Sequence, residues 1–524
     1  MKFRIALAFS VLIALGCGVA QLRGPLMGGR TFLQTQVIVR DSFTRANSGN
    51  LGANWTANSG AIDTALMGIT SNAARVQTTG GHADSFWNAN TFATNQYAEG
   101  IAGGSAISVN THEANITVVD SSGDNYDMFY WNQNATTDIA VGLAEVVGGS
   151  YTPLATASAG TFVLGGLMRL EKVGTVLTGY FNGVPVVTGT STLNSGAPGV
   201  HGYMAASSPT AYVTNWEGGN LVWTRQGIVE PASRSSEEPG VIYEGGCVIV
   251  ASPCFKMWYT VNWTSPPPAI NYAESTDGKT FSEYSGNPVI SNGATAVAHG
   301  YVVHIGSTYY GYYWNGASGA FDQWTSADGV TSWTLAHASV LAPGTTGAWD
   351  AVGVYDSTVF VNGATWYMLY QGSSAGGACH YYCEGLATSS DGITWTKYSG
   401  NPVIANGSGG VGGGHVYQAG ANYYLWAQTS ATVASLPTDI SLYSSPDLMN
   451  WTPSSNSRNP VYERVLADEG VNLSSGQVAD ACMVTVGGTT YFYYDATDTQ
   501  DAGHIHINLA TAPYTLQQIS LAYK

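Results

Sequence analysis

Short runs of aromatic and apolar residues, each preceded by a glycine turn, dominate the pattern of this chain. Examples are GGCVIVASPCFKMWY at 245–259, NGATWYMLYQG at 362–372 and GGTTYFYY at 487–494. Elsewhere Val, Thr, Tyr and Trp alternate with clusters of Gly, Asn, Ser and Asp about every eight to twelve residues, and long runs of helix formers are absent. Such alternation between frequent turns indicates short β-strands. We therefore predict an all-β protein.

The second half of the chain repeats with a period near 60 residues. Successive glycines of the aromatic motif lie 61, 57, 57 and 67 residues apart. Two longer copies, FSEYSGNPVISNG at 281–293 and WTKYSGNPVIANG at 395–407, begin 114 residues apart. A period of this length, with about four strands in each unit, is typical of β-propeller blades. We predict a five-bladed β-propeller over residues 221–524, aligned on Gly245, Gly306, Gly363, Gly420 and Gly487.

Residues 37–220 lack this repeat. The segment MRLEKVGTVLTGYFNGVPVV at 168–187 predicts alternating strands joined by Gly turns. The opening DSFTRANSGNLGANW and the closing AYVTNWEGG resemble the concanavalin-like jelly-roll domains of secreted carbohydrate-active proteins. The resemblance implies either a glycan-binding module or a spacer domain. Trp55, Trp87 and Trp131 are either sugar-stacking residues or, more simply, core residues.

The chain begins with the pattern of a secretory signal. Lys2 and Arg4 precede a short apolar run, and small residues suited to cleavage follow it. We predict a signal peptide at 1–20, a linker at 21–36 and a secreted, extracellular protein. Cys17 leaves lipid anchoring open as the alternative. No other segment of the sequence is long and apolar enough to span a membrane.

Composition narrows the class of partner. Only 10% of the 524 residues are charged and the net charge is −17, so a basic nucleic-acid-binding face is not expected. An acidic surface suits a neutral partner such as a glycan. Cys247 with Cys254 and Cys379 with Cys383 are candidate disulfides of an oxidising compartment, and Cys482 falls in a predicted buried strand. No array of CxxC motifs indicates zinc.

Acids and histidines recur at one position upstream of the glycines. The residue seven positions before each glycine lies near the start of the predicted innermost strand, at the mouth of the propeller tunnel. Carboxylates crowded at one mouth push one another's pKa values apart, so an acid and a base can coexist at one pH. The mouth residues are Glu238, His299, Asp356, Gly413 and Asp480. Two residues further along the same face lie Gly240, Tyr301, Thr358, His415 and Cys482.

Two loops are predicted to open on the same face. The loop GSSAGGACHYYCEG at 372–385 carries His380 and Glu384, and a disulfide there would hold Glu384 at the rim of the cleft. The loop DATDTQDAGHIH at 495–506 is either a cation site or, more simply, a solvated polar loop. We expect no cofactor and no catalytic metal, with a structural calcium left open. The acids and histidines of the second loop are Asp495, Asp498, Asp501, His504 and His506.

Three phrases of the repeat region resemble the five-bladed propeller glycosidases, the group that holds arabinanases, β-xylosidases, invertases and levansucrases. They are EPGVIYEGG with KMWYT, YDSTVFVNGATWYMLYQG, and LATSSDGITWTKYSGNPVI. The resemblance covers about 300 residues and implies Asp, Asp and Glu opening the first three blades, as base or nucleophile, pKa modulator and general acid. Here these positions hold Glu238, His299 and Asp356, so two acids are exchanged in type and the middle one is missing.

The pattern and the resemblance together predict a secreted glycoside hydrolase that acts on a neutral polysaccharide or oligosaccharide by carboxylate acid/base catalysis. The alternative is a non-catalytic glycan-binding or cell-surface protein built from the same parts. A sialidase is disfavoured, because its substrate carboxylate needs an arginine cluster and no arginine opens an inner strand. Candidate catalytic residues are Glu238, Asp356, Asp480 and Glu384. Candidate substrate-binding residues are His299, Tyr301, His415 and His380.

Overall fold

The structure is a computed structural model that resolves two compact units, one of residues 30–224 and one that contains residues 225–524. The predicted linker, Cys17 and all of the predicted signal peptide except Leu15–Gly16 lie outside the described residues. The described residues are 15–16, 38–58, 63, 65–78, 80–92, 95–104, 112–120, 125–133, 139–156, 165–181, 184–193, 195–204, 211–229, 235–261, 267–377, 379–380, 382–405, 409–430, 438–454, 461–462, 477–497 and 505–523.

The first unit is a sandwich of two antiparallel sheets. Its strands are β2 (Ile38–Asp41), β3 (Trp55–Ala57), β4 (Met67–Ile69), β5 (Ala74–Val76), β6 (Gly81–Trp87), β7 (Gln96–Gly103), β8 (His112–Asp120), β9 (Asn125–Gln133), β10 (Ile139–Val147), β11 (Ser150–Thr156), β12 (Leu167–Val173), β13 (Val176–Phe181), β14 (Val184–Thr190), β15 (Ala197–Met204) and β16 (Tyr212–Asn220); β1 (Leu15–Gly16) pairs in the second unit. One sheet has the order β11-β10-β9-β8-β15-β6-β3. The other has the order β14-β13-β12-β7-β16-β5-β4, with β2 also on β16. The concanavalin-like jelly-roll type stays a prediction.

Tryptophans form the centre of the sandwich core. Trp55, Trp87 and Trp131 are 8%, 8% and 1% exposed, and they share one apolar cluster with the fully buried Trp216. The ring centroids of Trp55 and Trp216 lie 4.6 Å apart. Burying large aromatic rings against each other stabilises a core strongly. The interpretation of these three tryptophans as core residues is therefore confirmed.

The second unit is a five-bladed β-propeller, as the repeat predicted. Every inner strand pairs with the next strand outward through the Gly turn of the aromatic motif. Blade 1 has β18 (Ser236–Glu244), β19 (Cys254–Val261), β20 (Ala269–Ser275) and β21 (Ser282–Glu283); blade 2 has β22 (Val297–Ile305), β23 (Thr308–Asn315), β24 (Ala320–Ser326) and β25 (Thr334–Leu341); blade 3 has β26 (Gly353–Asn362), β27 (Thr365–Ser373), β28 (Cys383–Ser389) and β29 (Thr396–Lys397); blade 4 has β30 (Val411–Ala419), β31 (Asn422–Thr429), β32 (Asp439–Ser445) and β33 (Thr452–Pro453).

Blade 5 joins the two ends of the propeller sequence. Its inner three strands are β34 (Val478–Val486), β35 (Thr489–Thr497) and β36 (Ile505–Ala512). The outermost strand is β17 (Thr224–Ile228), which comes from the start of the propeller and pairs with β36. This pairing closes the ring without leaving the fifth blade one strand short. Helix α1 (Leu516–Tyr523) follows, and no helix in the described part of the chain is long and apolar enough to cross a membrane.

The aromatic motif recurs because it joins neighbouring blades. Trp258 of blade 1 donates its indole N–H to the carbonyl of Gly329 in blade 2 at 2.8 Å. Tyr312 of blade 2 donates its hydroxyl to the carbonyl of Gly392 in blade 3 at 2.7 Å. Blade 5 repeats the contact toward blade 1, where the Tyr493 hydroxyl donates to the carbonyl of Gly278 at 2.8 Å. Each glycine lies in an Asp-containing turn with φ between 72° and 75°.

Two disulfides between described residues brace loops of the propeller. They are Cys247–Cys254 in blade 1 and Cys379–Cys383 in blade 3, as the spacing predicted. The loop closed by the first disulfide is held by the buried carboxylate of Glu274. That carboxylate accepts hydrogen bonds from the backbone N–H groups of residues 248, 249 and 250 and from a tyrosine hydroxyl. Cys482 is 2% exposed in β34, so the predicted buried strand is confirmed.

Candidate active site

A bulge interrupts each of the five inner strands at the same height. The bulged residues have left-handed backbones, and the pairing with the neighbouring strand slips at each of them. A left-handed backbone is strained for any residue with a side chain, and such strain is concentrated at functional sites. The residues, with their φ values, are Glu238 (59°), His299 (51°), Asp356 (38°), Gly413 (53°) and Asp480 (50°). We call this set the mouth ring.

His299 lies between two carboxylates of the mouth ring. Its Nδ1 is 2.6 Å from Oε1 of Glu238 and 2.7 Å from Oδ1 of Asp356. Burial by itself would lower the pKa of the imidazole, but the charges of Glu238 and Asp356 outweigh burial and hold that pKa well above its ordinary value. The two carboxylates therefore favour the imidazolium form of His299, whose ring in blade 2 contacts side chains of blades 1 and 3.

Glu238 is the anchor of this arrangement. Its Oε2 accepts the hydroxyl of Thr260 at 2.6 Å and the backbone N–H of His299 at 2.5 Å. Burial would raise the pKa of Glu238, but the His299 charge and these hydrogen bonds lower it overall. The side chain of Glu238 is 6% exposed, against 12% for Asp356. Of the two carboxylates, Asp356 is thus the more open to a ligand.

On the other side of the ring, Asp480 and Asp495 form a carboxyl pair. They are in hydrogen-bonding contact, and burial raises the pKa of both well above the ordinary value, with the neighbouring acids adding to the effect. Asp495 also accepts the backbone N–H of Glu238 at 2.9 Å. Burial beside Glu238 likewise raises the pKa of Glu237 to about 8. The acids at the mouth therefore have pKa values displaced in opposite directions, raised for Glu237, Asp480 and Asp495 and lowered for Glu238.

A second ring stands behind the mouth ring and was missed by sequence reasoning. It is formed by the residues of the second strands that pair just before each bulge. Four of them lie eight positions after the motif glycine, and the fifth lies fifteen positions after it because the disulfide loop lengthens blade 1. That spacing was the available signal. The residues of this backing ring are Thr260, Trp314, Gln371, Gln428 and Asp495.

Partly exposed aromatic rings surround His299. The ring centroid of His299 lies 5.5 Å from that of Trp314 and 5.4 Å from that of Tyr355, both edge-on. Tyr382 packs edge-on against Tyr355 at 5.9 Å and belongs to the disulfide-braced loop of blade 3. Aromatic faces next to polar groups are suited to a sugar, which has apolar C–H faces and polar edges.

A cavity of about 30 Å³ lies beneath the mouth ring. This volume has room for about one or two water molecules and none for a sugar ring. Asp356, Asp480 and Gly413 border it, together with Ser357 and Tyr301, whose hydroxyls are buried without a hydrogen-bond partner among the described residues.

The remaining candidate residues do not belong to the mouth ring, although Tyr301 borders the cavity. Tyr301 is 6% exposed and His415 is 1% exposed, both inside the propeller, and burial lowers the pKa of His415 to about 3. Glu384 is 2% exposed, and burial, with the charge of Asp356, raises its pKa well above the ordinary value. His380 is exposed, with Nδ1 3.3 Å from the carbonyl of Ser374. The predicted roles of these residues stay predictions.

The predicted cation loop is described only at its two ends. Asp498, Asp501 and His504 lie outside the described residues, whereas Asp495 and His506 are buried strand residues. Another trio, Glu238, His299 and Asp356, offers one ligand atom each within 4.8 Å of one another, and a cation there would have to displace the proton of His299. Cys247, Cys254 and Glu274 are similarly close, but the two cysteines are joined in a disulfide.

Solved structures similar to this chain were found, whereas sequence comparisons found no match. No protein-family model and no curated protein sequence matches the chain. As the sequence resemblance predicted, solved structures titled as glycoside hydrolases are similar to it. A native arabinanase of Bacillus subtilis is 16% identical with a TM-score of 0.38, covering 55% of this chain and 96% of its own. A family 117 glycoside hydrolase of Zobellia galactanivorans is 15% identical with a TM-score of 0.37, covering 56% and 91%.

A third similar structure matches a smaller part of the chain. A carbohydrate-binding module of Bacillus subtilis is 14% identical with a TM-score of 0.26, covering 33% of this chain and 98% of its own. The five-bladed architecture itself is established by the five sheets of the second unit.

Proposed function

We propose that the propeller hydrolyses glycosidic bonds, with Asp480 as the proton donor and Asp356 as the base. The observation that carries the proposal is geometric: Asp480 of blade 5 and Asp356 of blade 3 line one cavity, and Asp356 lies 2.7 Å from Nδ1 of His299. Burial and the neighbouring acids raise the pKa of Asp480, which favours its role as the proton donor. Between them, blade 4 contributes Gly413 and hence no side chain of its own. Two carboxyl groups in different protonation states are what acid/base glycoside hydrolysis requires.

In this reaction Asp480 gives its proton to the glycosidic oxygen as the bond to the anomeric carbon breaks. A water molecule in the cavity below attacks the anomeric carbon, and Asp356 takes the proton that this water loses. His299 holds Asp356 in place and is itself held by Glu238, so these two residues position the base. Asp495, hydrogen-bonded to Asp480, supports a supply of protons to the donor. The sugar lies against the aromatic rings around His299.

The substrate is a neutral glycan. Three carboxyl groups belong to the mouth ring, Asp495 stands behind them, and neither ring contains Lys or Arg. A uronic acid or a sialic acid would bring another negative charge to this cluster without a cation to receive it. The signal-like N-terminus supports release of the protein from the cell, where such polymers are found. A glycan-binding role for the sandwich would serve the same substrate.

Product analysis over arabinan, xylan, fructan and β-mannan tests this proposal. Release of sugars from one of them by the whole protein, with Asp480→Asn and Asp356→Asn each about 10²–10⁴-fold slower, is the expected result. Loss of rate in Glu238→Gln alone, with Asp480→Asn at full rate, would move the proton donor to blade 1. Binding of a glycan without any cleavage would favour the non-catalytic alternative.

A further inference from the structure

Blade 4 departs from the other blades at the mouth ring. Where the others present an acid or a histidine, blade 4 has Gly413. A Cβ atom on Gly413 would lie 2.6 Å from Oδ1 of Asp480 and 2.8 Å from Nε2 of Gln428. These distances are too short for real contacts, so the space beside Gly413 is shared by the Asp480 carboxyl and the Gln428 amide. The glycine allows both groups to approach one point from neighbouring blades.

Three of the other backing residues contact the mouth ring directly. Thr260 donates to Glu238, Trp314 packs on His299, and Asp495 pairs with Asp480. The Gln428 amide is partly exposed and makes no hydrogen bond within the described part of the chain. A primary amide offers two N–H donors and a carbonyl acceptor, and it carries no charge. It can therefore bind a hydroxyl group without disturbing the protonation of the neighbouring acids.

We infer that Gln428 hydrogen-bonds a hydroxyl group of the sugar whose bond is cleaved, and that it thereby selects the substrate. This inference rests on the proposed hydrolase function and adds the residue that reads the sugar. Because Gln428 and Asp480 meet at the same point, a hydroxyl bound by the amide fixes the glycosidic oxygen relative to the proton donor. A site built to hydrogen-bond a hydroxyl discriminates strongly against a sugar that lacks it.

The test replaces the amide by an apolar group of similar length. Gln428→Met should lower kcat/KM on the cleaved polysaccharide by about 10-fold or more, while the melting temperature stays unchanged. The matched control is Gln418→Met, the same substitution on β30 at the far end of blade 4, which should keep the wild-type rate. If Gln428→Met lowers the melting temperature, Gln428→Asn, which keeps the amide one methylene shorter, replaces it in the comparison.

Deoxy substrates separate recognition from a merely structural role. Monodeoxy analogues of the cleaved oligosaccharide should include one that the wild-type protein cleaves about 10-fold or more slowly, and on that analogue Gln428→Met should cause no further loss. Equal losses by the variant on the parent and on every deoxy analogue would overturn the inference. So would a wild-type rate for Gln428→Met.

Calorimetry distinguishes failure of this inference from failure of the proposed function. If the wild-type protein binds an oligosaccharide without cleaving it, and Gln428→Met weakens that binding about 10-fold, the hydrolase proposal falls while the role of Gln428 stands. If cleavage occurs and Gln428→Met is silent in both rate and affinity, the role of Gln428 falls while the hydrolase stands. If the wild-type protein neither cleaves nor binds any of the four glycans, both fall.

Discussion

His299 meets the carboxylate of Glu238 twice, with its backbone N–H at 2.5 Å and its ring Nδ1 at 2.6 Å. The Glu238 carboxylate also accepts the hydroxyl of Thr260, so its hydrogen bonds fix the position of His299 in the next blade. This is the reason for assigning Glu238 a positioning role, although it opens the first blade where a base was expected from the sequence. The same contact ties the protonation of His299 to the stability of the propeller.

The His299 ion pair should give a pH-dependent part of the stability. Glu238 has a lowered pKa, so its contribution is present above its ordinary value of 4.5 and is lost as pH falls. His299 has a raised pKa, so its contribution is complete below 6.5 and is lost as pH rises through the folded-state value. The free energy of unfolding lost in His299→Gln should therefore be greatest between about pH 4.5 and 6.5. Denaturant titrations across pH 3–10 measure it, and a loss independent of pH would contradict the ion pair.

Asp480→Asn should stabilise the protein increasingly as pH rises. Folding raises the pKa of Asp480 above its ordinary value of 3.8. Above that pH the unfolded chain loses the proton more readily than the folded chain, so the free energy of unfolding falls as pH rises. The asparagine variant lacks this penalty. Thermal melts at pH 4 and pH 8 should show a larger gain relative to wild type at pH 8. Asp277→Asn in an exposed turn is the control, because its lowered pKa predicts a loss instead.

The rate of hydrolysis should depend on a protonated donor. In the wild-type protein, the rate should fall on the alkaline side as Asp480 ionises, at a pH well above that of an ordinary Asp. Asp480→Asn should lose that alkaline limb together with most of the rate. A pH–rate profile of kcat/KM measures both. An unchanged alkaline limb in Asp480→Asn would assign the donor to another acid, with Glu384→Gln as the next variant to examine.

Glu274→Gln should loosen the disulfide loop of blade 1. The carboxylate accepts N–H groups of Val248 at 2.8 Å and of Ile249 at 2.6 Å, and it is fully buried. An amide can accept fewer of these bonds and places its own N–H group against backbone donors. Loss of charge-assisted hydrogen bonds should cost about 1.5–3 kcal/mol in the free energy of unfolding. Hydrogen exchange at residues 248–250 should rise as well, whereas protected loop amides would contradict the role given to Glu274.

Gly392→Ala should destabilise the protein more than Gly306→Ala. Both glycines have left-handed backbones, with φ of 74° and 66°, which costs a residue with a side chain about 1–2 kcal/mol. A Cβ on Gly392 would also lie 2.8 Å from the hydroxyl of Tyr312, whereas a Cβ on Gly306 would meet open space. Urea unfolding of the two variants should separate the steric cost from the backbone cost. Equal losses would mean that the contact between blades 2 and 3 adapts freely.

The spacing of glycines was sufficient to find the mouth ring but not the groups behind it. Seven positions before each glycine gave Glu238 and Asp480, and these residues do share one cavity. The backing ring depends on which residues pair across strands, and the disulfide loop of blade 1, in which Cys247 and Cys254 are separated by 7 positions, hides Thr260 from a fixed offset. Of the five residues predicted two positions further along, Tyr301, Thr358 and Cys482 line this cavity. His415 was expected to face the tunnel with Tyr301, yet it does not line the cavity.

Protonation was equally hard to foresee, because it depends on burial. Asp495 shares the offset of eight residues from its motif glycine with other backing residues, but that offset does not reveal that it is fully buried and pairs with Asp480. Similarly, the charge of His299 follows from two carboxylates that approach from neighbouring blades. Periodicity predicts which residues converge, whereas their charge states depend on distances that only the folded ring defines.

Ring closure makes the acid cluster a late product of biosynthesis. Asp495 of blade 5 accepts the N–H of Glu238 of blade 1, across the seam where β17 completes the sheet of β36. A nascent chain has neither Asp480 nor Asp495 beside Glu238 until the fifth blade has emerged from the ribosome and closed the ring. Any chemistry of the cluster therefore begins only after assembly, and its onset in a refolding experiment would time the closing of the ring.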